Sequence, residues 1–332
     1  MEMRTFGRSG LQLSVLGFGC GAVGGLMVRG DPADQERAVA RALDAGVNYF
    51  DTAALYGDGA SERNLGRLLK KLRPAHAIIG TKFRLSTFDP GQIRAEVSSS
   101  LEESLRRLGL DRVDIFYLHN PITVAETAES LSTRRVLEEV VPALEKLRQQ
   151  GKVGFLGFTA VGDTEALQTV VNAGVFDGAQ ITYNMLNPSA AAALPPSYPA
   201  QDYGRLLDQA EAAGVGAVGI RVLAGGALSG SPERHPVASP PPSPIGSAYT
   251  YEADLSRARR LMALVEEGFA SSLQEAAIRF AISHPAIGTV LVGMATPEEF
   301  EQALAAVQRG PLPASGLNRL TELHQTFAGE PR

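Results

Sequence analysis

The chain has one cysteine, Cys20, among its 332 residues. A single cysteine excludes an intramolecular disulfide bond and any zinc site built from several thiolates. The five histidines stand at positions 76, 119, 235, 284 and 324, and these spacings are not typical of metal ligands. The sequence therefore predicts no metal site, so any chemistry must come from other groups.

Long apolar runs and an excess of basic residues are also missing. No stretch approaches the roughly 18 apolar residues of a membrane span, and MEMRTFGRSG at the N-terminus has neither a secretory nor a transit-peptide pattern. Lys and Arg number 31 against 36 Asp and Glu, and the two signs are interspersed. We therefore expect a cytoplasmic protein that binds neither membrane nor nucleic acid, and its oligomeric state is left open.

The sequence does contain one alternation, repeated along its length, of a short apolar run, a loop and an amphipathic helical pattern. Helical patterns cover residues 34–46, 61–72, 92–109 and 133–151, and several end in glycine, as helix C-caps do. The runs that predict strands are VLGFG (15–19), VNYFD (47–51), AIIGTK (77–82), VDIFYLH (113–119), VGFLGFT (153–159), GAQITY (178–183), VGAVGIR (215–221) and GTVLVG (288–293).

Eight short strands, apolar throughout and alternating with helices, predict a (β/α)8 TIM barrel. The length would permit two domains, but one barrel commonly fills this range, and we predict a single domain over residues 1–332 with a short N-terminal β-hairpin around GRSG (7–10). A doubly wound sheet is disfavoured, because GFGCGAVGG (17–25) does not form G-x-G-x-x-G at the start of a helix.

Several loops would lie over the C-terminal face, where barrel active sites are found. The loops expected to select the substrate are 21–33, 84–90, 120–133, 184–202 and 224–251. The proline-rich part of 229–251 is equally consistent with a disordered loop and an ordered lid. The tail from Pro311 to Arg332 is short, and we expect it to cover little of the site. Four further residues are expected either to pack in the core or to form an apolar wall of the site: Phe83, Leu118, Met185 and Tyr249.

Titratable side chains stand at or just after three consecutive predicted strand ends. Asp51 ends the second strand and Tyr56 follows it, Lys82 ends the third, and His119 ends the fourth. Each residue alone has an ordinary structural or solvated role in most proteins. Because strand ends of a barrel meet around one mouth, the four together predict a site.

Elementary electrostatics suggests a role for each member. An ammonium near a phenol favours the phenolate, so Lys82 is expected to lower the pKa of Tyr56. A carboxylate at Asp51 would keep the buried lysine charged, and His119 would orient a carbonyl or share proton transfer with Tyr56. This set supplies a general acid but no electron sink, so it predicts a redox cofactor. Cys20, with no cation near it in sequence, is expected to be buried and unreactive.

These motifs resemble the aldo-keto reductase family. The resemblance runs through FDTAALYGDGASERNLG (50–66), GTKF (80–83), YLHNP (117–121), GFTA (157–160), AQITYN (179–184), VLAGGALSG (222–230) and VLVGMATPEEFEQAL (290–304). It implies a barrel that binds NAD(P)H across its mouth without a Rossmann domain. It also implies that Asp51, Tyr56, Lys82 and His119 are the catalytic tetrad, and we expect Ser61 to be the N-cap of the helix after Tyr56.

The resemblance further implies a set of cofactor contacts, with departures from the family pattern. Thr159-Ala160 stands where Ser-Asn is common, and Ile220-Arg221 where Tyr-Ser is common. Ile220 can pack on the nicotinamide, and Arg221 is either an edge-of-core residue or a partner of the cofactor diphosphate. The implied contacts are Gly19, Asp51, His119, Thr159, Ala160, Gln180, Ile220, Arg221, Leu223, Ala224, Gly226, Leu228, Gly293, Met294, Ala295, Glu299 and Gln302.

Cofactor choice is expected to depend on GMATPEEFEQA (293–303). Gly293 and Glu299 align with the Lys and Arg that surround the 2′-phosphate in NADPH-preferring members. Replacing two cations by a neutral residue and an anion predicts tolerance of, or preference for, NADH. The segment also resembles that of NAD-linked L-galactose or L-fucose dehydrogenases.

Three functions are consistent with these features. The first is an NAD(P)-dependent oxidoreductase that interconverts an aldehyde, ketone or aldose and its alcohol or lactone, with Tyr56 moving the proton. The second is a cofactor-binding redox sensor or regulatory subunit of the same fold with slow turnover. The third is a lyase or isomerase barrel, which would bind no nicotinamide. We expect a small carbonyl or sugar substrate for the first.

Overall fold

The computed structural model describes residues 1–86 and 89–332. An antiparallel hairpin of β1 (Met3–Thr5) and β2 (Gln12–Ser14) comes first. The later strands are β3 (Leu16–Gly19), β4 (Tyr49–Asp51), β5 (Ile78–Phe83), β6 (Val113–Leu118), β7 (Ile122–Thr123), β8 (Leu131–Ser132), β9 (Val153–Ala160), β10 (Gly178–Thr182), β11 (Gly216–Ile220) and β12 (Ile287–Gly293). Within the described chain, β7 and β8 form a separate parallel pair.

The other eight strands close into a parallel barrel in the order β10-β11-β12-β3-β4-β5-β6-β9. Each of these strands begins and ends within two residues of a predicted run. The hairpin and the (β/α)8 barrel are therefore both confirmed. Of the predicted loop 84–90, residues 87 and 88 lie outside the described residues.

Helices surround the barrel and link its strands. They are α1 (Leu26–Arg29), α2 (Pro32–Asp44), α3 (Ala60–Leu72), α4 (Pro90–Leu108), α5 (Thr133–Arg135), α6 (Val141–Gln149), α7 (Thr164–Asn172), α8 (Leu206–Ala212), α9 (Tyr251–Arg260), α10 (Ala263–Glu266), α11 (Leu273–Ala281), α12 (Pro297–Gln308) and α13 (Ala314–Gln325). A π-helical turn, Val136–Val140, joins α5 to α6. Among the described helices, none combines the length and apolarity needed to cross a bilayer.

The predicted N-cap of α3 is wrong. Gly57, Asp58 and Gly59 all have positive φ, and this turn starts the helix at Ala60 with Gly59 as its N-cap. Ser61 instead buries its hydroxyl, which donates to the Cys20 carbonyl at 2.8 Å. Ser61 thus ties the start of α3 to the loop after β3.

The bottom of the barrel is closed by the N-terminal hairpin. The Phe6 ring is completely buried there, beside strands β10, β11 and β12. A Cβ atom at Gly178, Gly216 or Gly288 would approach that ring to 2.6, 2.5 or 3.2 Å. Because this end is filled, the C-terminal mouth is the end of the barrel open to a ligand.

The two long segments that follow β10 and β11 are packed against each other and against the tail. The Asn187 amide donates to the Gly246 carbonyl at 2.7 Å, which joins 184–202 to 229–251. From the tail, His324 Nε2 lies 2.7 Å from the Met185 carbonyl, and the Gly329 amide donates to Ser197. The tail therefore supports the first segment from outside, and none of its described residues lines the cavity at the mouth.

Candidate active site

Strand alternation brings the predicted chemistry into the mouth. Residues two apart on a strand point to the same side, so Tyr49 and Asp51 both face inward from β4. Asp51 pairs with Gly80 of β5, and Lys82 of β5 pairs with Tyr117 of β6. This register places the inward-facing side chains of Asp51, Lys82 and Tyr117, on three adjacent strands, next to one another.

Asp51 and Lys82 form a buried ion pair at the floor of the mouth. Their residues are 3% and 1% exposed, and the ammonium contacts carboxylate oxygen Oδ1 directly. Lys82 Nζ also donates to the Thr52 carbonyl at 2.8 Å. Burial lowers the pKa of Lys82, but the Asp51 carboxylate and the Tyr56 phenol raise it further, so the net direction is upward and the amine stays charged.

The second carboxylate oxygen of Asp51 is held by two other donors. Gln180 Nε2 donates to Oδ2 at 2.6 Å, and the Tyr49 hydroxyl donates to it at 3.0 Å. The Tyr49 and Tyr117 hydroxyls are themselves 3.0 Å apart. Sequence reasoning missed both phenols, although each stands two residues before a predicted site residue and so had to point the same way.

Glycines make room for these two phenols inside the barrel. A Cβ atom at Gly80 would lie 2.6 Å from the Tyr49 hydroxyl, and one at Gly157 would lie 2.3 Å from the Tyr117 ring. Both tyrosines are completely buried. The layer beneath the site is thus a packed hydrogen-bonded unit that aims the Asp51 carboxylate at Lys82.

Tyr56 lies next to this pair on the loop after β4. Lys82 Nζ is 4.9 Å from the centre of the Tyr56 ring. Burial raises the pKa of Tyr56, and the Lys82 ammonium lowers it by less, so the net shift is upward. Lys82 therefore acts in the expected direction, and desolvation of the buried phenol outweighs it. The phenol is therefore protonated near neutral pH.

His119 faces the Tyr56 ring edge-on, with ring centres 6.0 Å apart and planes at 86°. Burial, together with the charges of Lys82 and Arg84, lowers the pKa of His119 to about 3. The imidazole is therefore neutral at physiological pH. Its buried Nδ1 has no hydrogen-bond partner among the described residues, so one polar ring atom is free to serve a ligand.

A cavity of about 830 Å³ extends from Tyr56 and His119 across the mouth to α11 and α12. Residues of the predicted set that line it are Gly19, Asp51, Tyr56, His119, Thr159, Gln180, Ile220, Arg221, Leu223, Gly226, Gly293, Ala295, Glu299 and Gln302. Buried behind its wall are Lys82, Ala160, Ala224, Leu228 and Met294. Wall residues that sequence reasoning missed include Arg84, Arg234, Ser271, Glu275 and Ile278.

The wall contains a side chain suited to a polar ligand. Thr159 lines the cavity, is 4% exposed, and its hydroxyl has no partner among the described residues. A buried hydroxyl without a partner costs free energy unless something bound there completes its hydrogen bonding. With the Gln180 amide on the neighbouring strand, it fits a ligand that carries a carboxamide.

Strained backbone marks the wall after β11. Arg221 and Ala224 have φ of 56° and 48°, in the left-handed region that non-glycine residues rarely adopt. The Asn184 side chain donates to the Arg221 carbonyl at 3.0 Å and holds this turn. Burial lowers the pKa of the Arg221 guanidinium, which forms no ion pair within the described part of the chain, so its charge is available to a bound anion.

Glu299 occupies the N-terminus of α12 at the other end of the cavity. Its carboxylate accepts the Ala295 amide at 2.6 Å, and the Thr296 hydroxyl caps the Glu299 amide at 3.3 Å. An anion is favourable at a helix N-terminus. The Glu299 carboxylate therefore occupies the helix N-terminus, where a phosphate group would otherwise bind favourably.

The remaining candidate residues have structural positions. Cys20 is buried, and burial raises the pKa of its thiol, as expected of an unreactive residue. Phe83, Leu118 and Met185 are buried in the core outside the cavity wall. Tyr249 is 72% exposed and packs against the Arg332 guanidinium. Among the described residues, no group of His, Cys, Asp or Glu is placed to hold a metal ion.

Three known proteins are similar in sequence to this chain. L-galactose dehydrogenase of Arabidopsis thaliana is 29% identical over 330 residues, covering 92% of this chain and 88% of that protein. D-threo-aldose 1-dehydrogenase of Pseudomonas sp is 33% identical over 56% of this chain and 63% of that protein. L-glyceraldehyde 3-phosphate reductase of Escherichia coli O157:H7 is 28% identical, with coverages of 92% and 88%.

A solved structure shares the fold. The holo form of aldo-keto reductase AKR11C1 from Bacillus halodurans superposes with a TM-score of 0.73 at 24% identity, covering 99% of this chain and 98% of that one. The model of the aldo/keto reductase family matches residues 15–325, nearly the whole chain. The chain therefore belongs to the aldo/keto reductase family of NAD(P)H-using oxidoreductases.

Proposed function

We propose that Asp51, Tyr56, Lys82 and His119 interconvert an aldehyde, ketone or aldose and the corresponding alcohol or lactone. The observation that carries the proposal is the buried Asp51–Lys82 pair beneath a protonated Tyr56, with neutral His119 against the same ring. Similarity to enzymes named for L-galactose, D-threo-aldoses and L-glyceraldehyde 3-phosphate supports small aldehydes and aldoses as substrates.

Each residue has a separate task in this proposal. Tyr56 donates its proton to the carbonyl oxygen during reduction and accepts one from the alcohol during oxidation. Lys82 stabilises the resulting phenolate through its charge, and Asp51 keeps that charge in place. Neutral His119 donates or accepts one hydrogen bond at the substrate oxygen, which orients the carbonyl.

The described residues fit a nicotinamide cofactor. The unpaired Thr159 hydroxyl and the Gln180 amide are suited to its carboxamide, Ile220 offers an apolar surface to its ring, and Arg221 offers a cation to its diphosphate. When bound, the cofactor supplies or takes the hydride. The protein's own task is to hold the reacting carbon at that ring while Tyr56 moves the proton.

We infer a preference for NADH over NADPH at the adenosine end. Glu299 presents a fixed carboxylate there, and Gly293 presents no side chain. A carboxylate can accept hydrogen bonds from ribose hydroxyls but repels a 2′-phosphate. A kcat/KM for NADPH more than about tenfold above that for NADH would contradict this inference.

The test is a panel of aldehydes and aldoses assayed in both directions with both nicotinamides, using wild type and Tyr56→Phe. We expect carbonyl-dependent turnover in the wild type and a loss of about 10²–10⁴-fold in kcat in the variant. Cofactor binding, measured by quenching of NADH fluorescence, should change little. Slow cofactor oxidation that is independent of every carbonyl would reject the proposal and favour a sensor of the same fold.

A further inference from the structure

Arg84 stands on the wall of the mouth beside the catalytic residues. It follows β5 and is two positions beyond Lys82, so strand alternation directs both side chains to the same side, with Arg84 nearer the solvent. It lines the same cavity as Tyr56 and His119. Unlike Lys82, it takes no part in the buried ion pair beneath Tyr56.

The backbone around Arg84 is pinned on both sides to the residues around His119. Before it, the Phe83 carbonyl accepts the His119 amide at 2.8 Å. After it, the Leu85 amide donates to the Asn120 side chain at 2.8 Å, and the same side chain donates back to the Leu85 carbonyl at 3.0 Å. Asn120 is 1% exposed. The position of Arg84 is therefore built into the fold.

The Arg84 guanidinium has no carboxylate partner among the described residues. Among the described residues, its one hydrogen-bond partner is the Glu129 carbonyl, at a long distance of 3.5 Å. The nearby carboxylate, Asp51, is already neutralised by Lys82. The other carboxylates of the wall, Glu233, Glu275 and Glu299, belong to the segments after β11 and β12. Arg84 is thus exposed at the rim of the mouth near Tyr56, and no described carboxylate forms an ion pair with it.

Barrel order separates this charge from the proposed cofactor side. In the closed order, β5 is four strands from β11 in either direction, which places it directly across the mouth. Arg221 and the glycine turn lie after β11, whereas Tyr56, Arg84 and His119 follow the three adjacent strands β4, β5 and β6. An anion held by Arg84 therefore belongs to the molecule whose carbonyl meets Tyr56.

We propose that Arg84 binds an anionic group, a carboxylate or a phosphate, on the carbonyl substrate and so selects charged over neutral substrates. A guanidinium presents a planar fork of donors that matches either oxyanion. The inference rests on the proposed function, because it assigns the charged part of the molecule that Tyr56 protonates.

The test uses pairs of substrates that differ by the anion: glyceraldehyde with glyceraldehyde 3-phosphate, and D-glucose with D-glucuronate. We expect the wild type to favour the anionic member of at least one pair, and the pair that responds tells phosphate from carboxylate. In Arg84→Gln, kcat/KM for that member should fall about 10- to 100-fold, the effect of losing a charge-assisted hydrogen bond. The neutral member should change less than about threefold.

Two further variants separate binding from general effects of charge or folding. Arg84→Lys keeps the charge without the fork and should retain part of the preference. Arg134→Gln removes the same charge from an exposed helical site, paired with Glu138 outside the cavity wall, and should leave both substrates unchanged. Equal losses for both members in Arg84→Gln, or a wild-type preference for the neutral members, would overturn the assignment.

Failure of the proposed function would give a different experimental result. If no carbonyl of the panel is turned over with either nicotinamide, the reaction proposal fails. Arg84 is then judged by calorimetric titration of inorganic phosphate into the wild-type chain and Arg84→Gln. Weaker binding in the variant supports an anion site, and equal binding refutes it.

Discussion

The two ends of the cavity are built in different ways. At the Tyr56 end, the central carboxylate and ammonium come from strands β4 and β5. Tyr49 and Gln180 donate to the carboxylate, and the Thr52 carbonyl accepts from the ammonium. At the α12 end, the wall comes from segments after β11 and β12, with left-handed backbone at Arg221 and Ala224. Strands thus hold the buried ion pair at one end, the rigid end, and strained or helix-capping segments form the wall at the other, where we propose that the cofactor is selected, the selective end.

The largest expected effect comes from breaking the rigid end. Lys82→Met removes the charge that stabilises the Tyr56 phenolate and should lower kcat by about 10²–10⁴-fold. Steady-state kinetics with a saturating carbonyl measures the loss. Because the change also leaves Asp51 buried without its cation, Lys82→Arg and a circular dichroism spectrum serve as controls. A kcat within about threefold of wild type in a folded Lys82→Met protein would contradict the role of Lys82.

A second prediction concerns the packing of Tyr117 beneath the Tyr56 end of the cavity. Gly157→Ala places a methyl group 2.3 Å from the Tyr117 ring, so overpacking should lower the free energy of unfolding by about 1–3 kcal/mol or more. Gly21→Ala is the matched control, because nothing lies within 4 Å of its new methyl group. Urea unfolding compares the two. Equal stabilities would show that the barrel interior adapts more easily than its geometry implies.

At the selective end, the prediction concerns cofactor choice. Glu299→Gln removes the carboxylate at the start of α12 and should raise kcat/KM for NADPH about tenfold, because one repulsive charge is lost near a dianion. NADH should respond much less. Glu298→Gln, one residue earlier and paired with Arg37 on the surface, controls for net charge. The same gain in both variants would remove Glu299 from the cofactor site.

The last prediction concerns the tail, outside both ends. Burial lowers the pKa of His324 to about 4 from an ordinary value near 6.5. Below pH 6.5 the unfolded chain therefore binds a proton that the folded chain does not, and stability is lost as the pH falls towards 4. His324→Gln should reduce this slope of unfolding free energy between pH 6.5 and 4. An unchanged slope would mean that other groups account for the acid sensitivity.

The sequence predicts the rigid end well because its signals are local. Apolar runs mark the eight strands, and polar residues at their ends mark Asp51, Lys82 and His119 before any strand is paired. The Tyr49–Tyr117 contact depends on the register of β4, β5 and β6, which no local pattern specifies. Arg84 could have been recognised from the sequence by extending the strand alternation two residues beyond Lys82.

The selective end is less predictable because its structure depends on distant partners. The Glu299 carboxylate is recognisable in sequence, but its bond to the Ala295 amide is a property of the folded turn. At the other end of the cavity, Ser61 does not cap α3, because the Gly57–Gly59 turn starts that helix earlier. Ser271, just before α11, and Glu275, within it, belong to no sequence motif. They can be recognised as wall residues only in the folded structure, where α11 lies beside α12.

The fit between tyrosines and glycines inside the barrel restricts how this sequence can evolve. Gly80 can gain a side chain only after residue 49 has lost its hydroxyl, because the two groups would lie 2.6 Å apart. Loss of the Tyr49 hydroxyl while Gly80 is retained, by contrast, creates no clash. The effects of changes at these positions are therefore expected to be non-additive. Loss of the phenol removes the shortest of these contacts, although a Cβ atom at position 80 would still lie 3.1 Å from the Tyr117 ring and 3.2 Å from the ring at position 49. Once position 80 carries a side chain, a return to tyrosine at position 49 is disfavoured until the glycine is restored.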